Sequence, residues 1–366
     1  MDNILYVTSD KPEQPIISSQ VLPLLNAIKD YSITLAMIES NKNKKINYKN
    51  LKFFKSIYSL SKYILMNAKN YKIIHFRSYV PFAILWPFLI FSKSKIIFDV
   101  RGVMPEEVIN QKKTLKSFLI FMYLKISEPI LVHFSNFIVV VSRPFKEYLI
   151  SKYGKRNQEK IKVISTFSNK KKDFNAIDFL EEIKKEKIII SYCGSLTKWQ
   201  KFDDVLNLYI ELQNLFNTTH LLVLTPDISL AKKKLSQKLN KKDFSVLFVK
   251  NQELIDYLSY SNLGLLLRDE NLINNVSAPI KVKDYLNAEV PILASSKIGD
   301  TDYYFKKYNL GFSLESDDFR QELIKNKEII RNLMNKDKAK FDDFYKRESS
   351  LEISIKKYLK LYGALL

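Results

Sequence analysis

Short apolar runs of strand length recur along the chain, and between them lie stretches whose apolar residues return every three or four positions. In the first half the runs fall at 4–8, 32–37, 72–75, 95–99, 137–141 and 162–165, and helical patterns fill 19–29, 56–67, 80–90 and 114–133. Runs this uniformly apolar suit strands covered on both faces. Their alternation with helices predicts a parallel sheet with right-handed crossovers. From about 166 to 186 the character changes: Ser168-Asn169-Lys170-Lys171-Lys172-Asp173 is polar and 181–187 is charged, which predicts a domain boundary. The pattern then restarts with a strand at 188–194, followed by helix 203–216, strand 220–224 and helix 230–239. Strand 245–249, helix 253–260, strand 263–267, helix 279–287, strand 291–294 and helix 301–307 follow, and from Asp317 onward the sequence reads mainly helical. The expected fold class is α/β: two doubly wound, Rossmann-like parallel-sheet domains facing across a cleft, with a helical C-terminal tail. Its divisions are 1–170, a linker at 171–186, 187–345, and a final helix at 346–366 packing back on the first domain. Open sheets of this kind take ligands at the carboxyl ends of their strands.

Charge changes the picture by being lopsided. Of the net +20, residues 1–165 carry 26 Lys and Arg against 11 Asp and Glu, a net of +15; the remainder carries 33 against 28, a net of +5. A basic first half suits anionic lipid head groups, acidic glycan or nucleic acid, and an AT-rich genome that favours lysine codons produces the same bias. Nucleic acid is not expected as a partner, because no recognisable module is present and the aromatics form no basic stripe. Lys112, Lys113, Lys116 and Lys125 interleave with Phe118, Leu119, Phe121, Met122 and Leu124. That stretch fits peripheral contact with an anionic membrane, or equally a core-facing helix with solvated lysines.

Composition excludes other classes. A single cysteine, Cys193, leaves no disulfide framework, and His75, His133 and His220 lack ligand spacing, so no metal site is expected. The opening Met1-Asp2-Asn3-Ile4-Leu5-Tyr6-Val7 has no basic n-region of a signal peptide. The longest apolar run, 82–91, is broken by Pro87 and falls short of the roughly 20 residues of a membrane span. The expected location is the cytoplasm, including the inner face of the plasma membrane.

Candidate chemistry concentrates at Leu266-Leu267-Arg268-Asp269-Glu270 and the following Asn275-Val276-Ser277-Ala278-Pro279-Ile280-Lys281-Val282-Lys283-Asp284-Tyr285-Leu286. A buried strand runs into a polar loop, and Pro279 is preorganised to open a helix whose N-terminus favours an anion. Ser277 supplies a hydroxyl, while Lys281 and Asp284, three residues apart, share a helix face. A capped helix with a surface ion pair is the plainer interpretation. In the first half, Asp99 and Arg101 end a buried strand, either to position a sugar or to anchor the turn at Gly102. His75 and Arg77 pose the same choice. His133 and His220 read as structural, Trp199 as packing its loop, and Glu106 and Glu107 as solvated residues at a helix start.

The segment Ser277-x-Pro279-x-Lys281-x-x-Asp284-Tyr285-Leu286, with Val290-Pro291-Ile292-Leu293-Ala294 after it, resembles the donor-binding segment of family-4 retaining glycosyltransferases of the GT-B architecture. Tyr192-Cys193-Gly194-Ser195-Leu196-Thr197-Lys198-Trp199-Gln200-Lys201 is similar to that family's Gly-rich loop. Residues 11–25, His75-Phe76-Arg77-Ser78, the stretch from Phe98 to Glu107, and Val139-Val140-Val141-Ser142 resemble its first-domain elements in order. The resemblance spans nearly the whole chain and rests on the ordered set. It implies transfer of a sugar, with retention and without metal or cofactor, from a nucleotide-sugar donor to a glycan or lipid-linked acceptor in surface polysaccharide synthesis. By position it implies donor contacts from Gly194, Ser195, Lys198, Lys201, Ser277, Ala278, Pro279 and Asp284, with Asp284 on the ribose. Arg268 and Lys281 would stabilise the leaving diphosphate, Asp99 and Arg101 would serve catalysis, and Ser18, Ser19, His75 and Arg77 would meet the acceptor. Val276 departs from the pattern, since the family's first paired carboxylate belongs there. Ser195 replaces a frequent arginine, and Gln200-Lys201 blurs a lysine-glycine pair. A silent sugar-nucleotide or glycan-binding protein of the same fold is the alternative.

Overall fold

The computed structural model describes residues 3–39, 46–89, 92–111, 114–168, 170–171, 173–316 and 318–366. Lys112 and Lys113, and the polar Asn169 and Lys172, lie outside the described residues, as does Asp317. The chain divides into two compact units, Met1–Thr166 with Leu351–Leu366, and Phe167–Ser350.

The first unit is built on seven strands: β1 (Asn3–Thr8), β2 (Ser32–Ile38), β3 (Leu51–Phe54), β4 (Ile73–Arg77), β5 (Lys95–Val100), β6 (Phe137–Val140) and β7 (Ile161–Val163). All pairings are parallel, in the order β3-β2-β1-β4-β5-β6-β7. Ile4, Leu5, Tyr6 and Val7 are all buried, as expected of a central strand with a helix layer on each face. The helix Leu351–Gly363 belongs to this unit and packs against Leu22–Ala27.

The second unit repeats the plan with β8 (Ile188–Cys193), β9 (Thr219–Leu224), β10 (Phe244–Leu247), β11 (Leu263–Leu266), β12 (Ile292–Ser295) and β13 (Gly311–Leu314), again all parallel. The order is β10-β9-β8-β11-β12-β13. Gly264 has a packing reason to be glycine. A Cβ there would lie 2.6 Å from the Tyr285 ring, which rests on the strand and donates its hydroxyl to the Ser191 carbonyl at 3.1 Å.

Both sheets reverse strand order beside their first strand, between β1 and β4 and between β8 and β11. Crossovers leave in opposite directions there, so the carboxyl ends of the two neighbouring strands open a crevice. Each unit therefore offers its ligand position in advance of any side chain.

Several elements differ from the pattern. The edge strands β3 and β13 and the helix Arg143–Tyr153 do not stand out in the pattern, and the helix Asp178–Glu186 is masked by its high charge. The helix Asp178–Glu186 lies in the segment read as a linker, yet Leu180 is fully buried in the second unit's core. Residues 19–29 resolve into a π-helical turn, Ile17–Val21, continued by the helix Leu22–Ala27.

Candidate functional site

In the second unit the switch crevice lies between the ends of β8 and β11. Gly194 follows β8 with φ +143°, a conformation that side chains rarely adopt. Its backbone leaves room for the Lys281 ammonium, which a Cβ at 194 would meet at 1.7 Å. Lys281 reaches this spot from the first turn of the helix Ile280–Asn287, donates to Gln200 Oε1 at 2.9 Å and sits 5.7 Å from the Tyr192 ring centre. Pro279 caps that helix with extended backbone (ψ 123°), and Ser277 donates its hydroxyl to the Asn274 carbonyl at 2.7 Å. Asn274 also takes the Gly299 amide at 3.2 Å and donates to the Asp269 carbonyl at 2.8 Å, tying the loops after β11 and β12 together.

Arg268 leaves the end of β11. Its guanidinium lies 4.1 Å from the Trp199 ring centre and donates to the Trp199 carbonyl at 3.2 Å, while Nε is buried without a partner. Among the described residues neither Arg268 nor Lys281 forms an ion pair with a carboxylate. Burial, with repulsion from Arg268, brings Lys281 down to about 8, and burial brings Arg268 down to about 10. Asp284 and Asp269 attract them only from beyond ion-pair distance and do not offset the burial, an unfavourable arrangement in the free protein. An anion in the crevice reverses that.

Asp284 lies one turn along the helix from Lys281. Burial pushes its carboxyl up to about 6, against the Ser168 hydroxyl, which donates to it at 2.9 Å, and the Lys281 charge. The remaining donor-side positions are arranged differently. Lys201 pairs with Asp204 at 3.1 Å and Asp269 at 3.5 Å, so its charge is already engaged. Ser195 lies 3.2 Å from the Thr197 hydroxyl, its carbonyl accepts from Tyr192, and Lys198 is exposed. Ala278 is half-buried in the loop before Pro279. Val276 is 1% exposed, so the position where the resemblance calls for a carboxylate is a closed apolar one. A pocket of about 320 Å³ opens at the ends of β11, β12 and β13, lined by Lys201, Arg268, Asp269, Ser295 and Ser296 among others. Sequence reasoning missed Gln200 as an organiser of Lys281 and Ser168 as the partner of Asp284. Neither carries a motif of its own.

In the first unit the residues singled out at the ends of β4 and β5 come together in one buried network that includes the last helix. Asp99 is fully buried, and its Oδ2 accepts from Arg101 at 2.6 Å, from Tyr358 at 3.1 Å and from His75 Nε2 at 3.3 Å. A carboxylate only accepts, so Nε2 carries the proton and His75 Nδ1 accepts from the Tyr362 hydroxyl at 2.9 Å. Burial lowers the His75 imidazole, leaving it neutral. Burial raises Asp99, but Arg101, His75 and Arg77 outweigh it and hold the carboxyl below its usual range. Arg77 donates to Asp10 at 3.4 Å and approaches Asp99 at 3.9 Å. With both ring nitrogens of His75 occupied and Tyr358 and Tyr362 supplied by the last helix, His75 and Asp99 fasten that helix to the sheet. Asp99 Oδ1 and Arg101 Nε are buried without a partner, so the network keeps two unused polar atoms. Ser18 and Ser19 are exposed on the π-helical turn, outside the network. Strain marks the same edge: Ser78, after β4, has φ +86° and donates its amide to the Asp99 carbonyl at 3.0 Å.

The other flagged groups have ordinary partners. Glu106 pairs with Lys125, and Glu107 lies over Gly102, where a Cβ would meet its carboxylate at 2.1 Å. His220 bonds Ser245 at 2.9 Å, and His133 is exposed against Phe134. Among the described residues no helix is long and apolar enough to cross a membrane.

No family model and no curated protein matches the sequence. Solved structures do. HepE of Anabaena, in complex with UDP, aligns at TM-score 0.72 and 8% identity, covering 100% of each chain. The lipopolysaccharide outer core galactosyltransferase WaaB aligns at TM-score 0.69 and 10% identity over 100% of each chain. Sucrose-phosphate synthase of Thermosynechococcus elongatus aligns at TM-score 0.68 and 14% identity, covering 100% of this chain and 99% of the other. The chain has the GT-B fold of these glycosyltransferases.

Proposed function

We propose that the protein is a glycosyltransferase whose second unit holds the diphosphate of a nucleotide-sugar donor against Arg268 and Lys281. The observation that carries this reading is the pair of partly buried, carboxylate-free cations at the switch crevice, with both groups brought below their ordinary values. A diphosphate supplies the missing counter-charge, and the N-terminus of the helix Ile280–Asn287 adds its dipole. As the glycosidic bond to phosphate breaks, negative charge grows on the leaving diphosphate. Cations already fixed there stabilise that charge without reorganising. Asp284, ionised above about pH 6, accepts from the ribose hydroxyls.

Independence of metal and retention of configuration are what the family resemblance implies. Lys201, engaged by two carboxylates, is a loop organiser in this reading. Asp99, Arg101 and His75 act through the fold, while Ser18, Ser19 and Arg77 are the first-unit candidates for a glycan or lipid-linked acceptor. HepE binds UDP, and WaaB is a lipopolysaccharide galactosyltransferase. These precedents favour a uridine nucleotide and a surface-glycan acceptor.

The test is calorimetric titration with UDP, GDP, ADP and CMP in the presence of a chelator. Saturable binding of one nucleotide, lost in Lys281→Met, is expected; binding that persists unchanged in that variant overturns the assignment. The closed apolar Val276 favours a second reading, a sugar-nucleotide binder without turnover. It predicts nucleotide binding with no transfer from, or hydrolysis of, the matching sugar nucleotide.

A further inference from the structure

The helix Leu115–Phe134 is apolar on both faces. Its inward face carries Leu124, Leu131 and Val132 together with Ser127 and Glu128, all buried, and Glu128 accepts from Tyr79 at 2.8 Å, Tyr153 at 2.5 Å and Lys152 at 2.5 Å. Its outward face carries Leu115 at 76% exposure, Leu119 at 60%, Met122 at 41% and Ile126 at 64%. Their spacing of four, three and four residues lines them along one side of the helix for roughly 16 Å. A soluble helix buries its apolar stripe and wets its polar one. Here the inward face is buried as expected, but the outward face is apolar as well and is left in water.

The apolar surface continues beyond the helix. Phe134 stacks on Trp86, with ring centres 6.3 Å apart, and Ile84 and Phe88 of the adjoining helix Tyr79–Leu89 are exposed. From there a groove of about 380 Å³ lined by Trp86, Phe134, Lys93 and Lys95 adjoins one of about 940 Å³ lined by Phe88, Met66, Lys69, Lys72 and Lys93. These grooves open at the amino ends of β1, β4 and β5, the end opposite the switch crevice, and serve no part of that site. Apolar side chains and lysines thus share one surface, on a unit carrying 29 Lys and Arg against 12 Asp and Glu, a net of +17.

We infer that this face, the outer side of Leu115–Phe134 with the lysine-lined groove at its end, docks on the surface of an anionic lipid bilayer. The apolar stripe enters the boundary between head groups and acyl chains while lysines meet lipid phosphates. Charge selects this occupant. A second copy of the chain would bring another +17 against the first, whereas an anionic bilayer complements it. The inference stands on the first unit alone and does not need the nucleotide reading.

The experiment is co-sedimentation of the full chain with vesicles of phosphatidylcholine, or of phosphatidylcholine and phosphatidylglycerol in a three-to-one ratio. The comparison is the double variant Leu119→Glu with Ile126→Glu, whose side chains already face solvent. Wild type should partition onto the phosphatidylglycerol vesicles and not onto phosphatidylcholine alone, and the variant should lose at least about tenfold in partitioning. Nucleotide titration of the variant should be unchanged, which separates this failure from that of the donor site. Binding equally well to neutral vesicles, no binding, or binding untouched by the two glutamates overturns the inference. So does a wild-type dimer in sedimentation velocity that the variant dissociates, which would give the face to a second copy.

Discussion

Lys281→Met tests the anion site through stability as well as binding. Lowering the ammonium from its ordinary 10.5 to about 8 costs the folded state about 3 kcal/mol at neutral pH. Methionine fills the same channel over Gly194 without a charge, so most of that cost disappears. The Gln200 carbonyl oxygen loses its 2.9 Å donor in a buried position, which returns about 1 kcal/mol. The variant should therefore be more stable than wild type by about 2 kcal/mol at pH 7 while losing nucleotide affinity. The pH dependence fixes the cause. A lysine whose folded value is depressed binds its proton more readily when unfolded, so wild-type stability rises with pH between about 8 and 10.5. The advantage of the methionine variant is full below pH 8 and fades across that interval. Urea denaturation at pH 7 and pH 9.5 measures both points. A variant less stable at pH 7, or one whose advantage is the same at both pH values, would refute the picture of a desolvated, unpaired ammonium.

Three further outcomes follow from the same geometry. In Gly194→Ala the new Cβ claims the ammonium's position at φ +143°, so nucleotide affinity should fall at least about tenfold while circular dichroism stays native; undiminished affinity would mean Lys281 is not the phosphate contact. Asp284→Asn should flatten the acid side of nucleoside binding, which in wild type weakens as pH falls through about 6 and the raised carboxyl protonates; titration of the nucleoside between pH 5 and 7.5 shows it, and an identical wild-type and variant profile counts against a ribose contact. Asp99→Ala leaves Arg101 without its carboxylate and should cost about 3–5 kcal/mol in urea denaturation, with Tyr358→Phe milder at about 1–2 kcal/mol; a loss of turnover with stability intact would restore a catalytic role to Asp99.

Much of this was legible because buried parallel strands write themselves as uniform apolar runs. The runs at 4–8 and 220–224 appear as Asn3–Thr8 and Thr219–Leu224, each sealed on both faces. Edge strands escape that rule. Leu51–Phe54 has a neighbour on one side only and keeps Lys52 and Phe53 exposed, so it carries no distinctive pattern. The helix Arg143–Tyr153 did leave a signal, a Ser142 cap accepting from the Phe145 amide with a proline in the first turn. At the site, Lys281, Asp284 and Arg268 were readable from a strand, a loop and a helix start in succession. The partners of Lys201 and Asp99 were not readable, since a sequence does not show which carboxylate or tyrosine will answer a given charge. Asp204, Asp269 and Tyr358 supply those answers from 3, 68 and 259 positions away.

The return of the helix Leu351–Gly363 to the first sheet bears on how the protein is made. The second unit is one continuous stretch, and all its strands are available as soon as it has left the ribosome. The first unit has to wait. Until residues 351–366 emerge, Asp99 and His75 lack the hydroxyls of Tyr358 and Tyr362, and the sheet end holds an incompletely solvated charge cluster. The half synthesised first is therefore the half completed last. Through the synthesis of the whole second unit, the sheet end of the first keeps charges whose partners have not yet been made.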